Sequence, residues 1–302
     1  MSRTLAITGG TGFVGKRLIE QALAAGYRVR ALTRRTQPPR DGVTWVAGAL
    51  DDAMALAEMV AGADVVIHVA GVVNTPTREG FVAGNITGTQ AVVNAARAAD
   101  VRRFVHVSSL AAREPQLSVY GWSKHGAEDV VIASGLDWTM VRPSGVFGPG
   151  DTDWLDMFRA AKHRLALLPP PGRLAVIHVD DLARLLLAVV ATNPGQVIYE
   201  ADDGRPGGWT HRDFARAIGA AVGRRVLAID LPKPVMLAAA RLDRLTRGDK
   251  AKLTRDRVGY FCHPDWTIDP TRAPDPALWR AQIPTPEGLA ATAAWYREHS
   301  LL

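Results

Sequence analysis

The chain has 302 residues, 47% hydrophobic and 22% charged, with a formal net charge of +6. That balance excludes a disordered or fibrous chain and leaves room for one large domain or two linked ones. One cysteine, Cys262, rules out an intrachain disulfide, and no basic run or basic–aromatic interleaving points to nucleic acid, so the mild basic excess suits small anionic ligands.

The first element is the apolar run Leu5-Ala6-Ile7, followed by Thr8-Gly9-Gly10-Thr11-Gly12-Phe13-Val14-Gly15. An amphipathic segment comes next, with Val14, Leu18, Ala22 and Leu23 at helical spacing, and it ends at Gly26. Together these read as strand, glycine turn and helix. Glycine lets a phosphate approach the backbone closely, and a helix N-terminus offers N–H groups and a positive dipole to an anion. Both Gly9-x-x-Gly12-x-x-Gly15 and Gly10-x-Gly12-x-x-Gly15 are present, so the turn points to a dinucleotide. No signal peptide is expected before it, and the longest apolar stretch, around Leu182 to Ala191, is too short to span a bilayer. A cytoplasmic protein with no membrane partner is expected.

Further strands are predicted at Arg28–Leu32, Thr44–Ala47, Val65–Val69, Phe104–Val107 and Trp138–Val141, with helices over about 13–25, 53–60, 81–99 and 120–134. Apolar strands alternating with helices imply an α/β fold with a doubly wound parallel sheet that binds ligands beyond the strand C-termini. After Arg142-Pro143 the texture changes to loop signals, Gly148-Pro149-Gly150-Asp151 and Pro169-Pro170-Pro171-Gly172. A strand over Leu174–Val179, a helix from Leu182, a strand at Val197–Tyr199, a helix capped by Thr210 and a last helix over Glu287–His299 complete the expectation. Trp154, Met157 and Phe158 recur at helical spacing, as core or as a pocket wall.

Chemistry-bearing residues cluster at the predicted strand ends. The second strand ends Thr33-Arg34-Arg35, where a carboxylate would favour a free ribose 2′-hydroxyl. Guanidinium groups pair well with a 2′-phosphate, so NADP(H) is expected over NAD(H). The fourth strand ends His68-Val69-Ala70-Gly71, small enough for a cofactor to cross, with His68 read as a packed histidine. The histidines show no ligand spacing, so no metal is expected. The fifth strand ends Val107-Ser108-Ser109, and Tyr120 and Lys124 follow at i and i+4 on one predicted helix face. A phenol with pKa near 10 is a poor base until an ammonium favours its phenolate.

With these residues in view, the chain resembles a short-chain dehydrogenase/reductase of the extended or atypical branch, the epimerase/dehydratase superfamily. The likeness is carried by the glycine turn, Val107-Ser108-Ser109, Tyr120-Gly-Trp-Ser-Lys124, Arg142-Pro143-Ser144-Gly145-Val146-Phe147-Gly148-Pro149-Gly150 and Ile177-His178-Val179-Asp180-Asp181. The resemblance implies a Rossmann-type domain, residues 1–147 plus about 174–200, with a smaller interleaved substrate domain, 148–173 and about 201–302. It implies Tyr120 as acid/base, Lys124 tuning it and holding the nicotinamide ribose, and Ser109, rather than Ser108, polarising the substrate oxygen. Asn85 matches the family's helix asparagine. Gly9, Thr11, Gly12, Phe13, Val14, Arg34, Arg35, Leu50, Val69, Ala70, Gly71, Val107, Pro143 and Val146 would line the cofactor, Pro143 and Val146 beside the nicotinamide. A homodimer through the helices holding Asn85 and Tyr120 is expected.

Two departures bear on substrate. Gly48-Ala49-Leu50 lacks the family's adenine-side Asp, and Gly145 stands where nucleotide-sugar enzymes carry Asn. The expected reaction is therefore hydride transfer to or from a carbonyl or secondary alcohol of a small molecule. A nucleotide-sugar epimerase or dehydratase is the first alternative and a non-catalytic NADP-binding protein the second.

Overall fold

The computed structural model describes residues 2–248, 251 and 253–302. The chain divides into two compact units: Met1–Arg142 with Leu182–Glu200 and Pro274–Trp279, and Pro143–Asp181 with Ala201–Ala273 and Arg280–Leu302.

The first unit is built on strands β1 (Thr4–Thr8), β2 (Arg28–Thr33), β3 (Val43–Ala47), β4 (Val65–His68), β5 (Arg103–Val107) and β6 (Asp137–Pro143). They pair in the order β3-β2-β1-β4-β5-β6, and Val197–Ala201 adds a seventh strand beside β6. The six pair in parallel, with Ile7 between Ala31 and Ile67, and Ile67 beside Val105. Strand order therefore reverses on either side of β1, and the crevice at such a reversal is where open parallel sheets bind ligands. Leu5, Ala6 and Ile7 and all of β4 and β5 are buried, as a sheet covered on both faces requires.

Helices α1 (Phe13–Ala24), α2 (Ala53–Val60), α3 (Arg78–Phe81), α4 (Gly88–Ala98) and α5 (Val119–Ile132) supply the cover. Leu56, Met59 and Val60 of α2, Val92, Val93 and Ala96 of α4 and Val131 of α5 pack with Phe104 and Trp138 in one core. Asp52 caps α2 by accepting from the Ala55 N–H at 3.0 Å, and Ser118 caps α5 by accepting from Gly121 N–H at 2.9 Å. The helix expected over 81–99 starts earlier, at Arg78, and α3 and α4 are joined by a π-helical segment, Val82–Thr87, that carries Asn85. Such insertions recur at functional positions.

In the second unit Phe147, Leu155, Phe158, Trp209, Phe214, Leu289 and Tyr296 form the core. Trp154 and Met157 pack against it, and Trp154 meets Phe214 ring to ring at 5.2 Å. Of the 154–158 stripe, Phe158 is thus a core member, while Trp154 and Met157 are partly buried at the core's edge. The single strand expected over Leu174–Val179 is two. Arg173–Leu174 pairs with Trp209–Thr210 and Asp265–Trp266, whereas Val176–His178 pairs with Gly145–Phe147. Ala175 between them donates its N–H to Trp266 and accepts from Gly145 N–H, so the chain changes partners there. The following helix begins at Val179, not Leu182, because Asp180 and Asp181 occupy its first turn, where carboxylates favour the dipole. Thr210 caps helix His211–Ala221 as expected, and the last helix spans Thr285–Glu298.

Candidate active site

The glycine turn sits at the C-terminal end of β1. Gly9 has φ +72°, and a Cβ there would lie 2.7 Å from the Ala70 nitrogen and 3.0 Å from the Val69 carbonyl carbon. A Cβ on Gly15 would lie 2.1 Å from the Gly9 oxygen, so α1 rests directly on the turn. Thr11 is half-buried, Gly12 is exposed, and Phe13 and Val14 open α1. The helix start has no side-chain cap and no acidic residue in its first turn. A bare, positively polarised helix end beneath an exposed glycine fits a pyrophosphate.

Thr33 ends β2 and folds the chain back, donating to the Arg35 carbonyl at 2.7 Å and accepting from Arg35 N–H at 3.2 Å. Arg34 and Arg35 are thereby exposed at the rim of a shallow cleft of about 430 Å³. Ala47, Gly48 and Ala49, Asp51 and Asp52 complete its lining. Leu50 instead turns its side chain onto the core.

Ser108 and Ser109 point to different partners. Ser108, 5% exposed, donates to Glu128 Oε1 at 2.5 Å. Ser109 is half-buried, and its Oγ accepts from Ala111 N–H at 3.2 Å, capping the short turn that follows β5. Tyr120 is half-buried on the first turn of α5, its ring 6.2 Å from that of Phe81. One turn on, Lys124 is buried and donates to the Val107 carbonyl at 2.9 Å. A Cβ on Gly71 would lie 3.7 Å from Lys124 Nζ and 3.1 Å from Asn85 Oδ1, so the β4 end, Asn85 and Lys124 converge. Burial lowers the Lys124 pKa to about 8, against the pull of Glu128, which raises it.

Asn85, which the resemblance singled out, and several residues it did not assign a role hold these groups in place. Asn85 Nδ2 donates to Val72 O at 2.9 Å and to Ser123 Oγ at 2.8 Å, and Ser123 Oγ donates to the Tyr120 carbonyl at 2.8 Å. The Arg142 guanidinium donates to both Glu128 oxygens, at 2.8 and 2.7 Å, and to Glu200 Oε1 at 3.2 Å. Arg113 reaches the other Glu200 oxygen at 3.4 Å. Glu128 lies four residues after Lys124, a spacing that sequence alone could have flagged. That Arg142 and Glu200 face inward is set by the strand register, which carries no local signal.

His68 is buried with both ring nitrogens engaged, Nδ1 with Thr8 Oγ1 at 2.6 Å and Nε2 with Thr89 Oγ1 at 3.0 Å. Burial, with Lys124 nearby, lowers its pKa to about 3, so it is a neutral structural residue. His106 stacks on it, centroids 5.3 Å apart. Pro143 ends β6, and Val146 lies in the second unit, where its carbonyl accepts from Trp154 Nε1 at 2.9 Å.

A parallel sheet whose order reverses beside a glycine turn, followed by smaller sheets in a second unit, is the fold of the extended short-chain dehydrogenases/reductases. The chain belongs to the NAD(P)H-binding family, whose model matches residues 9–193. It is an NAD(P)-dependent reductase or dehydrogenase of the extended type. It is 38% identical to a ceramide reductase of Caulobacter vibrioides over 97% of this chain and 94% of that one. It is also 30% identical to a 4-hydroxy-2-methyl-3-oxo-4-farnesyl-3,4-dihydroquinoline-1-oxide ketoreductase of Stigmatella aurantiaca, over 66% of this chain and 68% of that one. Among solved structures, the UDP-glucose 4-epimerase of Thermus thermophilus in complex with NAD superposes with a TM-score of 0.72 at 21% identity, covering 98% and 99% of the two chains. That likeness concerns the fold.

Proposed function

We propose that the chain reduces a carbonyl on a lipophilic small molecule with NADPH. The observation that carries the reading is the division of labour at the end of β5. Ser108 is spent on Glu128, while Ser109, with its oxygen anchored on Ala111 N–H, keeps its proton to donate. The lipophilic substrate class rests on the names of the ceramide reductase and the farnesylated-quinoline ketoreductase.

The bound nicotinamide nucleotide supplies the hydride. Ser109 hydrogen-bonds the substrate oxygen and fixes it beside Tyr120, whose hydroxyl delivers the proton. Lys124, an ammonium at neutral pH, stabilises the phenolate left behind. The α1 start would hold the pyrophosphate, and Arg34 and Arg35 the 2′-phosphate.

The test is NADPH oxidation followed by absorbance with a panel of long-chain ketones. Net consumption matching alcohol formed is expected, with NADPH bound about tenfold or more tighter than NADH, the scale of a charge-assisted contact. Arg34→Ala with Arg35→Ala should close that gap. Equal affinities in the unaltered protein would end the NADP assignment. Sugar-nucleotide turnover without net NADPH use would instead show an epimerase or dehydratase.

A homodimer is part of the same reading, through α4 and α5, where Ile132 is 49% exposed. Sedimentation at micromolar concentration should give a dimer mass, and a monomer would remove it.

A further inference from the structure

Helix Lys233–Arg247 in the second unit has two apolar faces. One is buried: Met236 and Ala240 pack with Val258, Leu253 and Phe261. The other is exposed. Val235, Leu242 and Leu245 are 49%, 63% and 84% exposed, and with Ala238 and Ala239 they recur every three or four residues as one stripe.

Only Leu231 and Pro232 separate this helix from a short parallel pair, Leu165–Leu168 with Leu227–Asp230. Ala166 and Leu168 pack inward on Ala215, while Leu167, Leu227 and Ile229 face out. Nine large hydrophobic side chains are exposed among the described residues, and six of them lie on this helix and this pair. That concentration on two elements joined by two residues is not the scatter of single residues that any surface shows.

The charge of the segment selects the occupant. Residues 233–257 carry eight Lys or Arg against three Asp, which is +5 of the chain's +6. Arg241 and Arg244 are exposed beside the stripe, and Arg247 pairs with Asp243 at 3.3 Å. A second copy would bring the same positive charge against itself. An anionic lipid surface satisfies both features, taking the leucines into the headgroup–acyl boundary and the cations onto the headgroups.

We propose that this face docks the protein on an anionic membrane surface, with helix Lys233–Arg247 lying in the interface plane. No helix among the described residues is long and apolar enough to cross a membrane. The expectation of no membrane partner rested on the lack of a spanning stretch, and surface docking needs none. Docking goes beyond the carbonyl-reductase reading and is measured without turnover, so either can fail alone.

The full chain is mixed with phosphatidylglycerol/phosphatidylcholine vesicles or with phosphatidylcholine alone, and the vesicles are sedimented. Binding to the anionic vesicles only is expected, weakened about tenfold or more by Leu242→Ser with Leu245→Ser and similarly by Arg241→Glu with Arg244→Glu. Unchanged NADPH affinity and thermal unfolding report that the variants are folded. Equal binding to both vesicle types, no binding to either, or binding indifferent to the leucine variants overturns the proposal. So does a self-associated form that the leucine variants disperse, because the face would then meet a second copy.

Discussion

Tyr120→Phe is expected to lower turnover by about a hundredfold or more while leaving NADPH affinity nearly intact, the scale on which a positioned acid/base acts. The substitution keeps the ring that packs near Phe81 and removes only the proton. Lys124→Ala should slow turnover and also weaken nucleotide binding, because its ammonium sits where the β4 end and Asn85 converge. The pH profile separates the two roles. Lys124 gives up its proton near pH 8, since burial outweighs the pull of Glu128. If Lys124 acts on Tyr120 as proposed, its supporting charge is lost above that pH, and kcat should fall. Glu128→Gln removes the raising influence, so the alkaline limb should move to lower pH, whereas a purely structural role for Glu128 would lower kcat without moving the limb. A Tyr120→Phe enzyme with unaltered rate would show that the proton comes from elsewhere.

The second large effect is on stability. Arg142→Met should destabilise the fold by about 3–5 kcal/mol, the cost of breaking a buried ion pair from one side. Glu128 and Glu200 are 2% and 0% exposed, and Arg142 bonds both. Without it, two carboxylates remain in a space closed to water, with Arg113 3.4 Å from one Glu200 oxygen. Denaturant unfolding measures the loss, and a variant as stable as the parent would mean that water enters to replace the guanidinium. Glu128→Gln with Arg142→Met removes charges of both signs and should cost less than the sum of the two single changes.

Much of the sheet is legible because its strands are apolar on both faces and the first helix is punctuated by Gly26. Those are local signals, and β1 to β6 lie within a residue or two of their predicted spans. The segment 174–179 was not legible. Its apolar run suits one strand, but the exchange of partners at Ala175 depends on Trp266, nearly a hundred residues away. The 154–158 stripe reads alike as core or as pocket wall, since both are apolar, and distant Phe214 and Tyr296 place Phe158 in the core. At the site, residue types and spacing single out Tyr120 and Lys124. Which serine turns toward Glu128 depends on the β5 register, and the ion-paired chain from Arg113 to Glu128 joins segments that periodicity cannot bring together.

The contact between Gly15 and the Gly9 carbonyl has a consequence for the energetics of nucleotide binding. A helix seated directly on the turn cannot retreat, and the turn itself is pinned against Ala70. The conformational freedom of this loop is therefore surrendered when the sheet folds, not when the ligand arrives. A preorganised loop of this kind leaves more of the phosphate contact energy to appear as affinity. The same coupling works in reverse, since a nucleotide that binds only the assembled turn stabilises β1, α1 and the end of β4 in proportion to its saturation.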